Sequence, residues 1–73
     1  MQRHEEALQR ADDQMNRLES APTTIEAAHE YDALICHTVP EIEAEDPDLG
    51  ARYRRAVDDL VKARVRRRYI PAT

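Results

Sequence analysis

Glu26-Ala27-Ala28-His29 sets a carboxylate and an imidazole three residues apart. That is close to one helical turn, so both could reach one metal ion from the same face. Carboxylate-bridged di-iron bundles use this spacing, with further glutamates from other helices. Only one such pair occurs here, so a dinuclear centre would need a second copy across a dimer axis. Patterns of four residues arise by chance in a Glu-rich helix, and a capping Glu beside a surface His is the simpler account. Glu26 and His29 are therefore the candidate ligands, while the expectation is no metal and no cofactor.

His29, Asp32 and Cys36 form a second constellation, close to one helix face at about 100° per residue. The apolar set Ile25, Ala28, Ile35 and Val39 centres almost on Asp32. A carboxylate buried alone is costly. Asp32 is thus expected as a buried polar staple, held by a Tyr hydroxyl, His29 or an arginine of the last helix. A Cys-His-Asp catalytic triad fails on geometry, because three residues of one short helix cannot also surround a substrate and supply an oxyanion hole. Cys36 is expected as a small core residue. No glycine-rich phosphate loop, serine nucleophile motif or paired-cysteine site is present, and no catalytic residue is assigned.

Charge offers two more surfaces. Up to Gly50 three basic residues stand against thirteen acidic ones, a balance of −10; from Ala51 eight stand against two, a balance of +6. Glu41, Glu43, Glu45, Asp46 and Asp48 make an acidic stretch that lacks the spacing of a calcium loop. It could imitate phosphates and occupy a basic groove on a partner. Arg64, Arg66, Arg67 and Arg68 could meet an acidic partner, but they project on several sides of a helix, unlike the one-sided stripe of a groove reader. Nucleic acid is not the expected partner. The plainer reading is that the basic helix lies beside the acidic ones, in one chain or across a dimer.

The elements that would position these groups are helical. Asp46 is a good N-cap, Pro47 fits the first helical position, and Asp48 complements the helix dipole. Leu49, Tyr53, Ala56, Val57, Leu60, Val61 and Val65 then mark one face of a helix that runs to Tyr69, where Pro71 stops it. Gly50 argues mildly against that helix. A first helix, about residues 3–19, carries a heptad seam of Met1, His4, Leu8, Ala11, Met15 and Leu18. Glu6–Arg10, Asp13–Arg17 and Asp58–Lys62 are acid-before-base pairs at i,i+4. Thr23-x-x-Glu26 opens a second helix with a capping box. Pro40 should kink or break it, and Thr38-x-x-Glu41 offers a cap for a fresh start over residues 40–45.

The chain, at 73 residues, makes one small domain, residues 1–69, with residues 70–73 as a loose tail. The expected fold is all-α: a small antiparallel bundle of three main helices, the second kinked or broken near Pro40. Phe and Trp are absent, so the core is thin and a partner surface would help complete it. The single cysteine fits a reducing compartment. No segment has the apolar length of a membrane span, and the N-terminal ten residues lack a signal peptide's apolar run. The expectation is a cytoplasmic, non-enzymatic helical interaction protein with a protein partner, most simply a homodimer with a regulatory or assembly role. One alternative is a small acidic inhibitor that mimics nucleic acid; another is a metal-binding bundle using Glu26 and His29 across a dimer.

Overall fold

The computed structural model describes residues 2–69, with side chains from residue 5 to residue 67. Met1 and the His4 side chain of the first seam, the Arg68 side chain and the tail 70–73 lie outside the described residues. Four helical segments follow one another: α1 (Gln2–Ser20), α2 (Thr24–Ala33), α3 (Val39–Glu45) and α4 (Pro47–Tyr69). A five-residue π turn, Leu34–Thr38, joins α2 to α3. The architecture is the all-α bundle of three main helices: α1, the α2–π–α3 unit, and α4.

Polar contacts between the helices set the register. Arg17 meets Glu30 and Arg10 meets Thr38 and Glu41, so α1 and the second helix run antiparallel. Arg54 meets Glu43 and Arg64 meets Thr23, so α4 runs antiparallel to the second helix as well. Tyr53 meets Asp12, and Arg67 lies near Glu19, which makes α1 and α4 parallel.

Two of the three sequence-read caps form. Thr23 is extended and its hydroxyl accepts from the Glu26 N–H at 3.1 Å. Asp46 alone leaves helical angles between α3 and α4, at φ −149°, ψ 94°. Its N–H closes α3 on the Ile42 carbonyl at 2.8 Å, and its carboxylate accepts from the Leu49 N–H at 3.1 Å to open α4. One residue thus ends one helix and begins the next, which brings α3 and α4 together at once. Gly50 sits at that crossing, and a Cβ there would lie 2.8 Å from the Glu43 Cα. The glycine that weakened the helix by propensity is where the two backbones meet.

The interruption before Pro40 is a change of helical register rather than a new cap. Thr38 and Val39 keep helical angles (φ −69°, ψ −49° and φ −62°, ψ −43°), and Thr38 caps nothing with its side chain. The expected second capping box is therefore corrected. Pro40 removes one donor and crowds the carbonyl of Cys36, and the wider turn ahead of it absorbs both.

That turn decides which way the second helix faces. At about 100° per residue, a straight α-helix would carry Val39 roughly 120° round from Ala27. A π turn holds about one residue more than an α turn and so turns back all that follows by about 100°. Val39 and Ile42 thereby join Ala27, Tyr31 and Leu34 on one face. Ala27, Leu34, Val39 and Ile42 are buried and Tyr31 partly so. The face expected around Asp32 is not the core face. Ile25 is 72% exposed, and Ala28, Asp32 and Cys36 are exposed too. Asp32 is not a buried staple and Cys36 is not a core residue, because the π turn brings Val39 and Ile42 onto the Ala27–Leu34 side and leaves the Asp32 side outside.

The remaining core comes from Ala7, Ala11 and Leu18 of α1 and Val57 of α4, with Leu8, Met15, Leu49, Tyr53, Leu60 and Val61 packed at its edges. The buried stripe of α1 (Ala7, Ala11, Gln14, Leu18) shares Ala11 and Leu18 with the expected seam, but Ala7 and Gln14 are buried where Leu8 and Met15 lie at its edge, so it is wider. The cause is that α1 packs against every other segment and cannot present a two-residue coiled-coil edge.

Candidate interaction surface

The charged groups singled out by the sequence go mostly to neighbouring helices. Glu43 accepts from Arg54 at both oxygens, 3.0 and 3.3 Å, a bidentate pair beside the Gly50 crossing. This bond holds the Arg54 guanidinium above its ordinary pKa. Glu41 pairs with Arg10, and Asp46 is engaged as a cap. Of the acidic stretch, Glu45 and Asp48 are exposed and make no ion pair among the described residues. In the basic run, Arg64 donates to the Thr23 carbonyl at 3.2 Å, Arg67 lies 4.0 Å from Glu19, and Arg66 is exposed. Arg10 and Arg17 take partners on the second helix in place of Glu6 and Asp13, and Asp58 and Lys62 make no ion pair among the described residues. Chain polarity is thus partly neutralised across helix interfaces.

A polar staple does exist, on the π turn. Thr38 is fully buried, and its hydroxyl donates to Gln14 Oε1 at 2.6 Å while accepting from Arg10 Nε at 3.2 Å. Arg10 continues the chain to Glu41. Gln14 is itself buried. A single hydroxyl has one proton to give and lone pairs to receive, so both of its bonds are satisfied. Tyr53 makes a looser link, donating to Asp12 at 3.3 Å. Burial, and then the Asp12 charge, push its hydroxyl above the ordinary tyrosine pKa.

Glu26 and His29 are both exposed, and the Glu26 carboxylate accepts from the Thr23 hydroxyl at 3.3 Å. Among the described residues, no three His, Cys, Asp or Glu side chains converge as a metal site would require. No described helix is long and apolar enough to cross a membrane.

What the sequence reading missed is a groove. Towards the Thr23–Arg64 end the backbones of α2 and α4 stay apart, although α1 packs against both. Between them lies an apolar cleft of about 330 Å³. Its floor and walls are Leu18, Ala27, Ala28, Tyr31, Val61 and Val65, with Thr24 and Arg64 at one end. Val65 is 48% exposed. Of the apolar residues that the sequence grouped around Asp32, only Ala28 lines this groove, so the signal for it was weak. Compared with known protein families, with curated proteins and with solved structures, the chain matches none.

Proposed function

We propose that this chain is a non-enzymatic, helical protein–protein interaction module that acts as a homodimer, with a regulatory or assembly role in the cytoplasm. The observation that carries the reading is the apolar groove between α2 and α4, with Val65 half exposed inside it. An unfilled cleft between two helices is where a further helix docks, its apolar side chains entering between the walls. A chain of this size gains much of its stability from such a partner. The groove is lined mostly by apolar side chains, which supports a binding role for it.

The acidic-inhibitor reading draws on fewer charges than the sequence offered, since Glu41, Glu43 and Asp46 are engaged within the chain. The test is mass in solution by sedimentation at two protein concentrations, in low and moderate salt. A dimer that persists in moderate salt supports association through the apolar groove. A monomer under all conditions overturns the homodimer.

A further inference from the structure

We infer that the groove is covered by a second copy of the chain in a two-fold arrangement that lays each α2 on the other copy's α4. The inference rests on the homodimeric reading above and specifies its interface. It begins from the stripe the fold leaves bare. Ile25, Ala28 and Asp32 of α2 and Ile35 of the π turn share one side of the second helix, adjoining the groove through Ala28; the first three are exposed and Ile35 is half-buried. The facing edge of α4 carries Val61 and Val65, flanked by Lys62 and Arg66. Lys62 and Arg66 are exposed and make no ion pair among the described residues, and neither does Asp32. The two walls therefore differ in sign: α2 offers the carboxylate of Asp32, and α4 offers Lys62 and Arg66 against the single carboxylate of Asp58, a net positive edge.

Register makes these complementary between copies rather than within one. The Thr23–Arg64 contact fixes the antiparallel alignment of α2 and α4. The middle of the groove lies near Ala28 and Val61. From there Asp32 is about one turn towards the α3 end, and Val65 with Arg66 about one turn the other way. Within the chain they are therefore two turns apart. A two-fold axis through the groove, perpendicular to both helices, exchanges the two ends and sets α2 over the other copy's α4. Each Asp32 then falls beside the other copy's Lys62 and Arg66, and each Ile25 falls level with the other copy's Asp58, about one turn from its Val61. Isologous pairing of this kind satisfies both copies with one surface. Like charges brought together in such an interface oppose association strongly, which makes charge reversal a sharp probe.

The experiment measures the dimer dissociation constant by sedimentation equilibrium for Asp32→Arg, for Lys62→Glu/Arg66→Glu, and for all three changes together. Helix content by circular dichroism serves as the folding control. Each reversal alone should weaken the dimer by about tenfold or more, and the combination should recover most of the loss. Val65→Lys should abolish the dimer, and Glu45→Arg, away from the groove, should leave it unchanged. A dimer indifferent to Asp32→Arg and Val65→Lys is built on another face and overturns this arrangement while leaving the homodimer intact. Single reversals that weaken without recovery in the triple variant overturn the Asp32 pairing. A wild-type chain that is monomeric throughout overturns both this arrangement and the homodimer.

Discussion

The two ends of the bundle are built from the same helices and packed in opposite ways. At the α3–α4 end, a single extended residue, Asp46, joins the helices; Gly50 lets the backbones touch; and Arg54 grips Glu43 with two bonds. At the α2–α4 end the same helix has diverged from its neighbour, bridged by Arg64 to the Thr23 carbonyl, while Arg67 reaches instead towards Glu19 of α1. The first end is a finished interior, and the second is half of one. The difference teaches where stability and association reside: the closed end should hold the fold and the open end should be free to bind.

The comparison can be broken by substitution. Ile42→Ala, in the fully buried closed end, should cost about 2–5 kcal/mol in urea unfolding, while Val65→Ala at the open end should cost no more than about 0.5 kcal/mol in the monomer. Equal losses would mean the groove is as much core as Ile42. Gly50→Ala should destabilise by about 1–3 kcal/mol, despite alanine's better helix propensity, because the Glu43 backbone cannot yield to a Cβ. A rise in melting temperature would show the two helices to be less closely held. Thr38→Val should cost about 1–3 kcal/mol by leaving the buried Gln14 amide without its donor; no loss would mean that Gln14 reaches another partner.

These outcomes bear on what the sequence could reveal. Caps are local, so Asp46-Pro47 and Thr23-x-x-Glu26 were legible from a few residues, and with them the number of helices. The face of the second helix was not, because phase accumulates along a helix and one wider turn resets it. Val39 was assigned to the side of Ile25 on a strict α count, and Asp32 went with it. Ion pairs failed for a related reason. An i,i+4 rule sees only one helix, whereas Arg10 and Arg17 found partners 31 and 13 residues away. Gly50 carried a packing meaning that propensity reads with the wrong sign. The groove was hidden because an apolar residue that lines an open cleft looks, in sequence, like one that fills a core.

The smallest expected effect concerns Tyr53, between the two ends. Its hydroxyl holds its proton more tightly in the folded chain than in the unfolded one. The stability this confers is complete below the ordinary tyrosine value of about 10 and is lost as pH rises through the higher folded value. Unfolding followed from pH 8 to 11 should show this alkaline loss in the wild type and a flatter profile in Tyr53→Phe. Identical profiles would remove Tyr53 as the source.

The π turn also gives the chain a spare residue. Deleting one amino acid from an ordinary helix swings everything downstream off its neighbours. Here the second helix already carries one residue too many between Ala33 and Val39, with Cys36 pointing outward. Without Cys36 the downstream residues turn by about 100° less, so Val39 and Ile42 still face inward. A change of chain length that would scramble most bundles would here spare the facing of the interior and leave Pro40 to kink the helix against the carbonyl four residues before it.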